Sequence, residues 1–583
     1  MTTEPLVALD PSWPKMTLAQ VTAALTAPGA KFEMGMADIH GVPTRVWKNA
    51  PPTLAWLAQA ARAHGDKLFT IHEDERVTYE AAYRATAALA AHLAALGVAK
   101  GDRVAIAMRN LPEWPVAFFA AASLGAIVVP LNAWWTGAEL EYGLADSGAK
   151  ILIVDGERHH RLAAHYAALP ALEHILVARA SAPLEGVAAR LEDAIGTPHD
   201  WATLAEVAFP AIDIAPDDDA TIFYTSGTTG NPKGALGTHR NLTTNILSSG
   251  YSAARQLLRR GEVPPAAPIP KTMLTVIPLF HVTACSATMM MAIASGSTLI
   301  FLRKWDTVRA MEIIEREKVN LTGGVPTIAW QLLEHPDREK YDLSSLEAIA
   351  YGGAPSAPEL VKRIYTEFGA LPGNGWGMTE TMATVTAHSG EDYLARPTSA
   401  GPPVAVADLR IMDEAGERER ATGEVGELWA RGPMIVRGYW NKPEATAETF
   451  IDGWVRTGDL ARVDEDGFLY VVDRAKDMII RGGENIYSTE VENVLYAHPA
   501  VTDCALIGVP HRTLGEEPVA VVHLCPGCSA TEAELQGWVR ERLAAFKVPV
   551  AIRFVDETLP RNANGKILKK DLKGLFEDRA AAA

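Results

Sequence analysis

The chain has 583 residues, 48% of them hydrophobic and 21% charged, with a formal net charge of −17 at pH 7. That length is more than one ordinary core sustains and predicts two or more domains. The acidic balance argues against a nucleic-acid coat or an anionic membrane surface as the main partner, while leaving room for a local basic site that grips a phosphate.

The opening residues, Met1–Lys15, have no basic start and no apolar run behind it, so no export signal is expected. Arg103–Met108, Ala126–Leu131 and Lys150–Asp155 then read as strands, separated by helix-like segments starting near Leu111 and Gly137. This alternation predicts parallel α/β architecture. Two uncharged stretches, Pro115–Leu131 and Thr283–Leu302, approach the ~20 apolar residues of a membrane span. Each is cut by a glycine, Gly125 or Gly296, and then turns β-branched or bulky. Both therefore read as a buried helix, a turn and a buried strand. Ser181–Ala220, with Pro, Gly and the acidic Asp217–Asp219, reads as a connector.

The next stretch, TIFYTSGTTGNPKGALGTH (Thr221–His239), packs hydroxyls and glycines behind an apolar strand and adds one lysine. Thr225, Ser226, Gly227, Thr228, Thr229 and Gly230 offer backbone N–H groups and hydroxyls on a turn, and Lys233 offers a mobile positive charge. Together they suit a polyphosphate. The P-loop pattern fails because Lys233 is flanked by Pro232 and Gly234, and the dinucleotide pattern fails too. Tyr251–Lys271 looks long for a connection. Gly401–Gly438 is rich in Val, Gly and short strands and predicts a small β-subdomain. Asp473–Gly483 turns charged and glycine-rich, as a hinge does, and the last ~100 residues form a unit large enough to stand as a domain. Of the four cysteines, Cys525 and Cys528 flank Pro-Gly and read as a turn between a strand and a helix. A zinc site would need two further ligands. The chain is expected to be cytoplasmic, with its thiols reduced.

The phosphate stretch is followed in order by PLFH (Pro278–His281), YGGAP (Tyr351–Pro355), GWGMTE (Gly375–Glu380), TGDL (Thr457–Leu460), DRAKDMIIRGGENIY (Asp473–Tyr487) and PRNANGK (Pro560–Lys566). This series resembles the acyl-adenylate-forming enzymes: acyl-CoA synthetases, firefly luciferase and the adenylation domains of non-ribosomal peptide synthetases. The resemblance spans most of the chain. It implies an α/β fold: a large N-terminal AMP-binding domain, residues 1–474, of two α/β subdomains plus a small β-barrel-like subdomain, then a small mobile C-terminal α+β domain, residues 475–583.

It also implies an ATP-dependent carboxylic acid–CoA ligase. The acid and ATP give acyl-AMP and pyrophosphate, and coenzyme A then gives acyl-CoA and AMP. Thr379 is expected on the α-phosphate and Glu380 on Mg²⁺, a reading that the chemistry of a hydroxyl beside a carboxylate supports on its own. Gly353, Ala354, Pro355, Gly375, Trp376 and Gly377 are expected around the nucleotide, Trp376 with its face beside adenine. Asp459 suits the two donors of a ribose diol, and Arg474 is a second nucleotide contact. Lys566 is expected to bridge carboxylate and α-phosphate, offsetting their mutual repulsion. Its neighbours Lys569 and Lys570 read as solvated charges. Lys476 matches the hinge position, and Gly482 and Gly483 the coenzyme A side.

The resemblance makes His281 the gate between the nucleotide and acyl pockets, a catalytic residue with Thr379, Glu380 and Lys566. It also implies that His281, Gly323, Gly324, Val325, Gly352 and Met378 line the acyl pocket, the glycines opening space and Trp330 adding to the wall. No charge obviously projects into this set. An apolar acid is therefore expected, a medium- or long-chain fatty acid or a bulky alicyclic or aryl acid. The expected partners are that acid, ATP and coenzyme A, with no nucleic acid and no transmembrane segment. Peripheral membrane contact and a monomer or homodimer remain open. The competing readings are a ligase loading an acyl carrier protein, a luciferase-like oxygenase, an amino-acid-activating domain, which would need an aspartate near PLFH, and a non-catalytic nucleotide-binding paralogue.

Overall fold

The computed structural model describes residues 6–225, 231–352, 358–525, 527–562 and 566–576. Two eight-stranded sheets dominate the N-terminal part. The first runs, edge to edge, Gly438–Tyr439, Gly234–Thr238, Asp219–Tyr224, Ile127–Pro130, Arg103–Ala107, Ile151–Asp155, His174–Ala178 and Ala188–Arg190. From Asp219–Tyr224 onward its pairs are parallel, as the strand–helix alternation predicts. The second runs Thr386–Ser389, Leu371–Trp376, Ala348–Tyr351, Leu321–Gly324, Thr272–Thr275, Thr298–Phe301, Leu68–His72 and Glu75–Thr78, parallel except at its two edges.

The uncharged stretches fall where the glycines divide them. Helix Glu113–Ser123 is buried throughout, Gly125 turns at φ +66°, and strand Ile127–Pro130 is buried on both faces. In the second stretch, a π-helical segment Thr283–Met289 runs into helix Met290–Ser295, Gly296 turns at φ +72°, and strand Thr298–Phe301 follows. Among the described residues no helix is long and apolar enough to cross a membrane. The largest core lies around these segments. Trp114 and Phe118 stack within it, 5.4 Å between centroids. The alanine-rich helix Tyr79–Ala95 packs there too, with Ala81, Ala82 and Ala85 turned inward and Thr78 capping its first turn.

The β-subdomain is larger than Gly401–Gly438. Its antiparallel sheet takes in Asp408–Met412, Gly426–Arg431, Phe450–Ile451, Trp454–Val463 and Leu469–Arg474, whereas Gly438–Tyr439 leaves it to edge the first parallel sheet. Tyr251–Lys271 is only half a connection. Its first ten residues complete helix His239–Arg260, where Tyr251, Arg255 and Arg259 are buried, and Gly261 ends that helix in the left-handed conformation.

A further five-stranded sheet lies beyond Lys476: Glu484–Ile486, Ile479–Arg481, Gly515–Leu524, Val501–His511 and Ala551–Val555, with helices Ser488–Tyr496 and Glu532–Arg540. A turn follows Leu524, closed by the Cys528 N–H donating to the Cys525 carbonyl at 2.9 Å. The turn brings the two Cα atoms to 5.2 Å, and the cysteines are disulfide-bonded rather than reduced. Cys285 and Cys504 are buried free thiols.

Candidate active site

Three neighbouring parallel strands, Leu321–Gly324, Ala348–Tyr351 and Leu371–Trp376, end side by side. Their carboxyl ends deliver Gly324, Gly352 and Trp376, the position where open α/β sheets hold ligands. Asp219–Tyr224 of the first sheet ends in the phosphate stretch. Tyr224 pairs with Gly234 across the hairpin, and Thr225 N–H donates to the Lys233 carbonyl at 2.9 Å. Lys233 N–H returns a bond to Thr225 Oγ1 at 3.3 Å. The base of the turn is thus pinned by Thr225 and Lys233, while Ser226, Gly227, Thr228, Thr229 and Gly230 lie outside the described residues. So do Gly353, Ala354 and Pro355.

The GWGMTE segment is a tight turn. After Trp376 the chain passes through Gly377 and Met378 into a single 3₁₀ turn, Thr379–Thr381. Met382 and Ala383 then take positive φ of 44° and 94°, a rare conformation for residues with a Cβ. A Cβ on Gly377 would lie 1.3 Å from the Ala383 carbonyl oxygen, so the returning chain occupies the place of a side chain. Thr381 Oγ1 donates to the Ala383 carbonyl at 3.0 Å. Asn245, buried on helix His239–Arg260, accepts from Thr384 N–H at 3.1 Å and donates to Ser286 Oγ at 2.8 Å in the π-helical segment. Nothing in the sequence flags Asn245, because its partners are far along the chain.

This turn aims Glu380 into the interior. Tyr439 Oη donates to Glu380 Oε1 at 2.6 Å, and Val436 N–H fixes the Glu380 carbonyl at 3.0 Å. Burial pushes the carboxyl of Glu380 up, while the Tyr439 phenol, Lys233 and Arg474 pull it down. A hard, buried, hydrogen-bonded carboxylate, with cations at longer range, has the chemistry of a Mg²⁺ ligand. The residues present therefore fit that ion.

Asp459 and Arg474 are cross-strand partners in the antiparallel sheet, and Arg474 Nε lies 3.2 Å from Asp459 Oδ1. Trp376 Nε1 donates to Asp459 Oδ2 at 2.8 Å. The indole thus has a polar role beside the expected stacking one. Lys566 reaches the same neighbourhood from the C-terminal part. Its backbone is tied to Asn562, and its Nζ is buried with no hydrogen-bond partner among the described residues. Burial, reinforced by Arg474 and Lys476 and opposed by Asp477 and Asp459, pulls the ammonium down to about 8.

Four expectations change. Gly323 opens no space: a Cβ there would lie 1.7 Å from the Ala350 carbonyl oxygen of the adjoining strand. Gly324, at φ +154°, faces Ile328 and Val276, which fill the volume beside it. Trp330 packs against the Arg363 guanidinium, 5.3 Å from its centroid, within the cluster under helix Pro358–Phe368. Lys569 is no solvated charge. It is held by Ser488 Oγ at 2.6 Å and Glu492 Oε1 at 2.8 Å.

Val325 stands immediately before helix Pro326–Glu334, Met378 is half-buried, and among the described residues a Cβ on Gly352 would meet only the Gly375 carbonyl at 3.7 Å. Gly375 itself lies flat against the neighbouring strand. Thr283 N–H donates to His281 Nδ1 at 3.2 Å, and burial alone pulls that imidazole down to about 4. Lys476 is in the turn after Arg474, and Gly482 and Gly483, at φ +61° and +89°, form the hairpin turn between Ile479–Arg481 and Glu484–Ile486.

A family model described as AMP-binding enzyme matches residues 57–440, and one described as AMP-binding enzyme C-terminal domain matches residues 490–566. The chain is 37% identical over 522 residues to a feruloyl-CoA synthase of Amycolatopsis sp, covering 90% of this chain and 98% of that one. It is 34% identical over 509 residues to the long-chain-fatty-acid–CoA ligase FadD13 of Mycobacterium tuberculosis, covering 86% and 93%. The crystal structure of the anthranilate CoA ligase AuaEII in complex with anthranoyl-AMP is similar with a TM-score of 0.81 at 26% identity, covering 91% of this chain and 98% of that one. With the site geometry and these likenesses together, the chain belongs to the AMP-binding enzyme family, as an AMP-forming acyl-CoA ligase that works with ATP, Mg²⁺ and CoA.

Proposed function

We propose that this ATP-dependent acid–CoA ligase activates an apolar carboxylic acid, a medium- or long-chain fatty acid or a bulky alicyclic or aryl acid. The observation that carries this reading is His281. Burial pulls its imidazole down to about 4, and no charged group among the described residues acts on it. A second carboxylate or an ammonium on the substrate would be stranded there without a partner. Val276, Ile277 and Ile328 surround Gly324 with aliphatic groups, which supports the same preference.

In the first half-reaction the acid's carboxylate oxygen attacks the α-phosphorus and pyrophosphate leaves. Asp459 and Arg474 hold the ribose end, Trp376 lies beside the base, and Lys233 with Thr225 holds the phosphates. The Thr379 hydroxyl takes the α-phosphate, and the Lys566 ammonium stands between the two anions being brought together. Mg²⁺ held at Glu380 would neutralise phosphate charge. In the second half-reaction the CoA thiolate attacks the acyl carbon and AMP leaves. Lys566 would block that approach, so the domain after Arg474, residues 475–583, turns about Lys476 and brings the Gly482–Gly483 turn toward the thiol.

The test is ATP–pyrophosphate exchange across fatty, aryl, alicyclic, dicarboxylic and amino acids, repeated with CoA while following thioester. Exchange with apolar acids and thioester with CoA is the expected result. Preference for a dicarboxylate or an amino acid would overturn the assignment of substrate.

A further inference from the structure

Tyr439 touches both the phosphate lysine and the metal carboxylate. Strand Gly438–Tyr439 pairs antiparallel with Gly234–Thr238, Ala235 opposite Tyr439. The strand that begins immediately after Lys233 therefore carries Tyr439 at its side. On one side the phenol donates to Glu380 Oε1 at 2.6 Å. On the other, Lys233 Nζ lies 4.4 Å from the ring centroid. The ring is firmly set: Tyr439 N–H donates to Thr446 Oγ1 at 2.9 Å, and Phe450 meets the ring edge-on at 5.5 Å. Tyr439 is buried, and a phenylalanine would fill the same space without the hydroxyl.

An ammonium and a buried carboxylate left to themselves would pair, and a carboxylate engaged by lysine is a poorer ligand for a cation. Lys233 instead rests on the ring face. A cation–π contact is weak enough for a polyphosphate to draw the ammonium away.

We propose that Tyr439 is a positioning residue for the first half-reaction: its phenol fixes the Glu380 carboxylate for the divalent ion, and its ring face keeps the Lys233 ammonium off that carboxylate until the triphosphate arrives. The inference rests on the roles given above to Glu380 and Lys233.

The test uses the full chain with a non-hydrolysable ATP analogue and Mn²⁺, whose binding is read by electron paramagnetic resonance, alongside pyrophosphate exchange titrated with Mg²⁺. Tyr439→Phe keeps the ring and loses the phenol. It should weaken Mn²⁺ binding about tenfold, raise the Mg²⁺ needed for half-maximal exchange in parallel, and leave analogue binding without metal unchanged. Tyr439→Leu also removes the seat for Lys233 and should weaken Mn²⁺ binding several-fold further. A urea midpoint for each variant separates lost packing from lost positioning. Wild-type Mn²⁺ affinity in Tyr439→Phe would overturn the proposal. Unchanged Mn²⁺ affinity in Glu380→Gln would instead remove the metal assignment on which it rests, and so distinguishes the two failures.

Discussion

Trp376 Nε1 donates to Asp459 Oδ2 at 2.8 Å while Arg474 Nε stands 3.2 Å from the other carboxylate oxygen. The two donors hold the carboxylate from both sides, leaving its remaining lone pairs for a diol. Trp376→Phe keeps an aromatic face and loses the N–H. A hydrogen bond to a charged group is worth about 1.5 kcal/mol or more, so KM for ATP should rise about tenfold with a smaller change in kcat. Initial rates against ATP concentration measure this. An unchanged KM would detach Trp376 from the ribose carboxylate.

The Trp376–Asp459 bond marks the boundary of what is legible in the chain itself. Local patterns were readable: Gly125 and Gly296 divide their apolar stretches as expected, and the hydroxyl-rich turn sits between two strands. Contacts made across large sequence distances were not. Gly323 looked like a source of space because its occupant, the Ala350 backbone, belongs to a different strand. Lys569 looked solvated because its partners Ser488 and Glu492 lie far upstream. Tyr439 sits in an unremarkable Gly-Tyr-Trp run, and only the pairing of its short strand with Gly234–Thr238 brings it to Glu380.

Gly377 is a local test of the turn that carries Thr379 and Glu380. Its Cβ position is taken by the Ala383 carbonyl oxygen, backbone that cannot swing aside. Gly377→Ala must displace the 3₁₀ turn, and small displacements of positioned groups cost about a hundredfold in rate. We expect kcat/KM to fall by about that factor while the urea midpoint moves modestly, since Gly377 lies at the surface of the turn. Retained activity would show that the turn is not under this constraint.

Asp473 makes a contact across the proposed hinge at Lys476. It precedes Arg474 at the end of strand Leu469–Arg474, yet it accepts from Ser488 Oγ at 2.9 Å, and Ser488 is in turn held by Lys569. Ser488 and Lys569 both lie beyond Lys476, so a rotation there must break the contact. Asp473→Asn should loosen the pose in which Lys566 faces Asp459. Pyrophosphate exchange should fall about five- to tenfold, while thioester formation from supplied acyl-adenylate should hold. Equal losses in the two half-reactions would show that the contact does not distinguish between poses.

Lys566 gives the sharpest dependence on pH. Burial and the nearby Arg474 and Lys476 hold its ammonium down to about 8. In the role proposed for Lys566, exchange needs the charged form, so its rate should fall as pH rises through about 8, the limb moving upward once bound triphosphate supplies opposing charge. Lys566→Arg keeps a cation throughout this range and should flatten the limb at a lower plateau. The same shift has a sign in stability. The folded-state value lies below the unfolded one, so the unfolded chain binds more protons between about 8 and the ordinary lysine value. The charge therefore costs stability below about 8, and that cost is relieved as pH rises through the window. Lys566→Met should accordingly raise the urea midpoint at pH 7 and lose this advantage by about pH 10.5. A midpoint that gains as much at high pH as at neutral pH would mean that lost packing, rather than a buried charge, separates the two proteins.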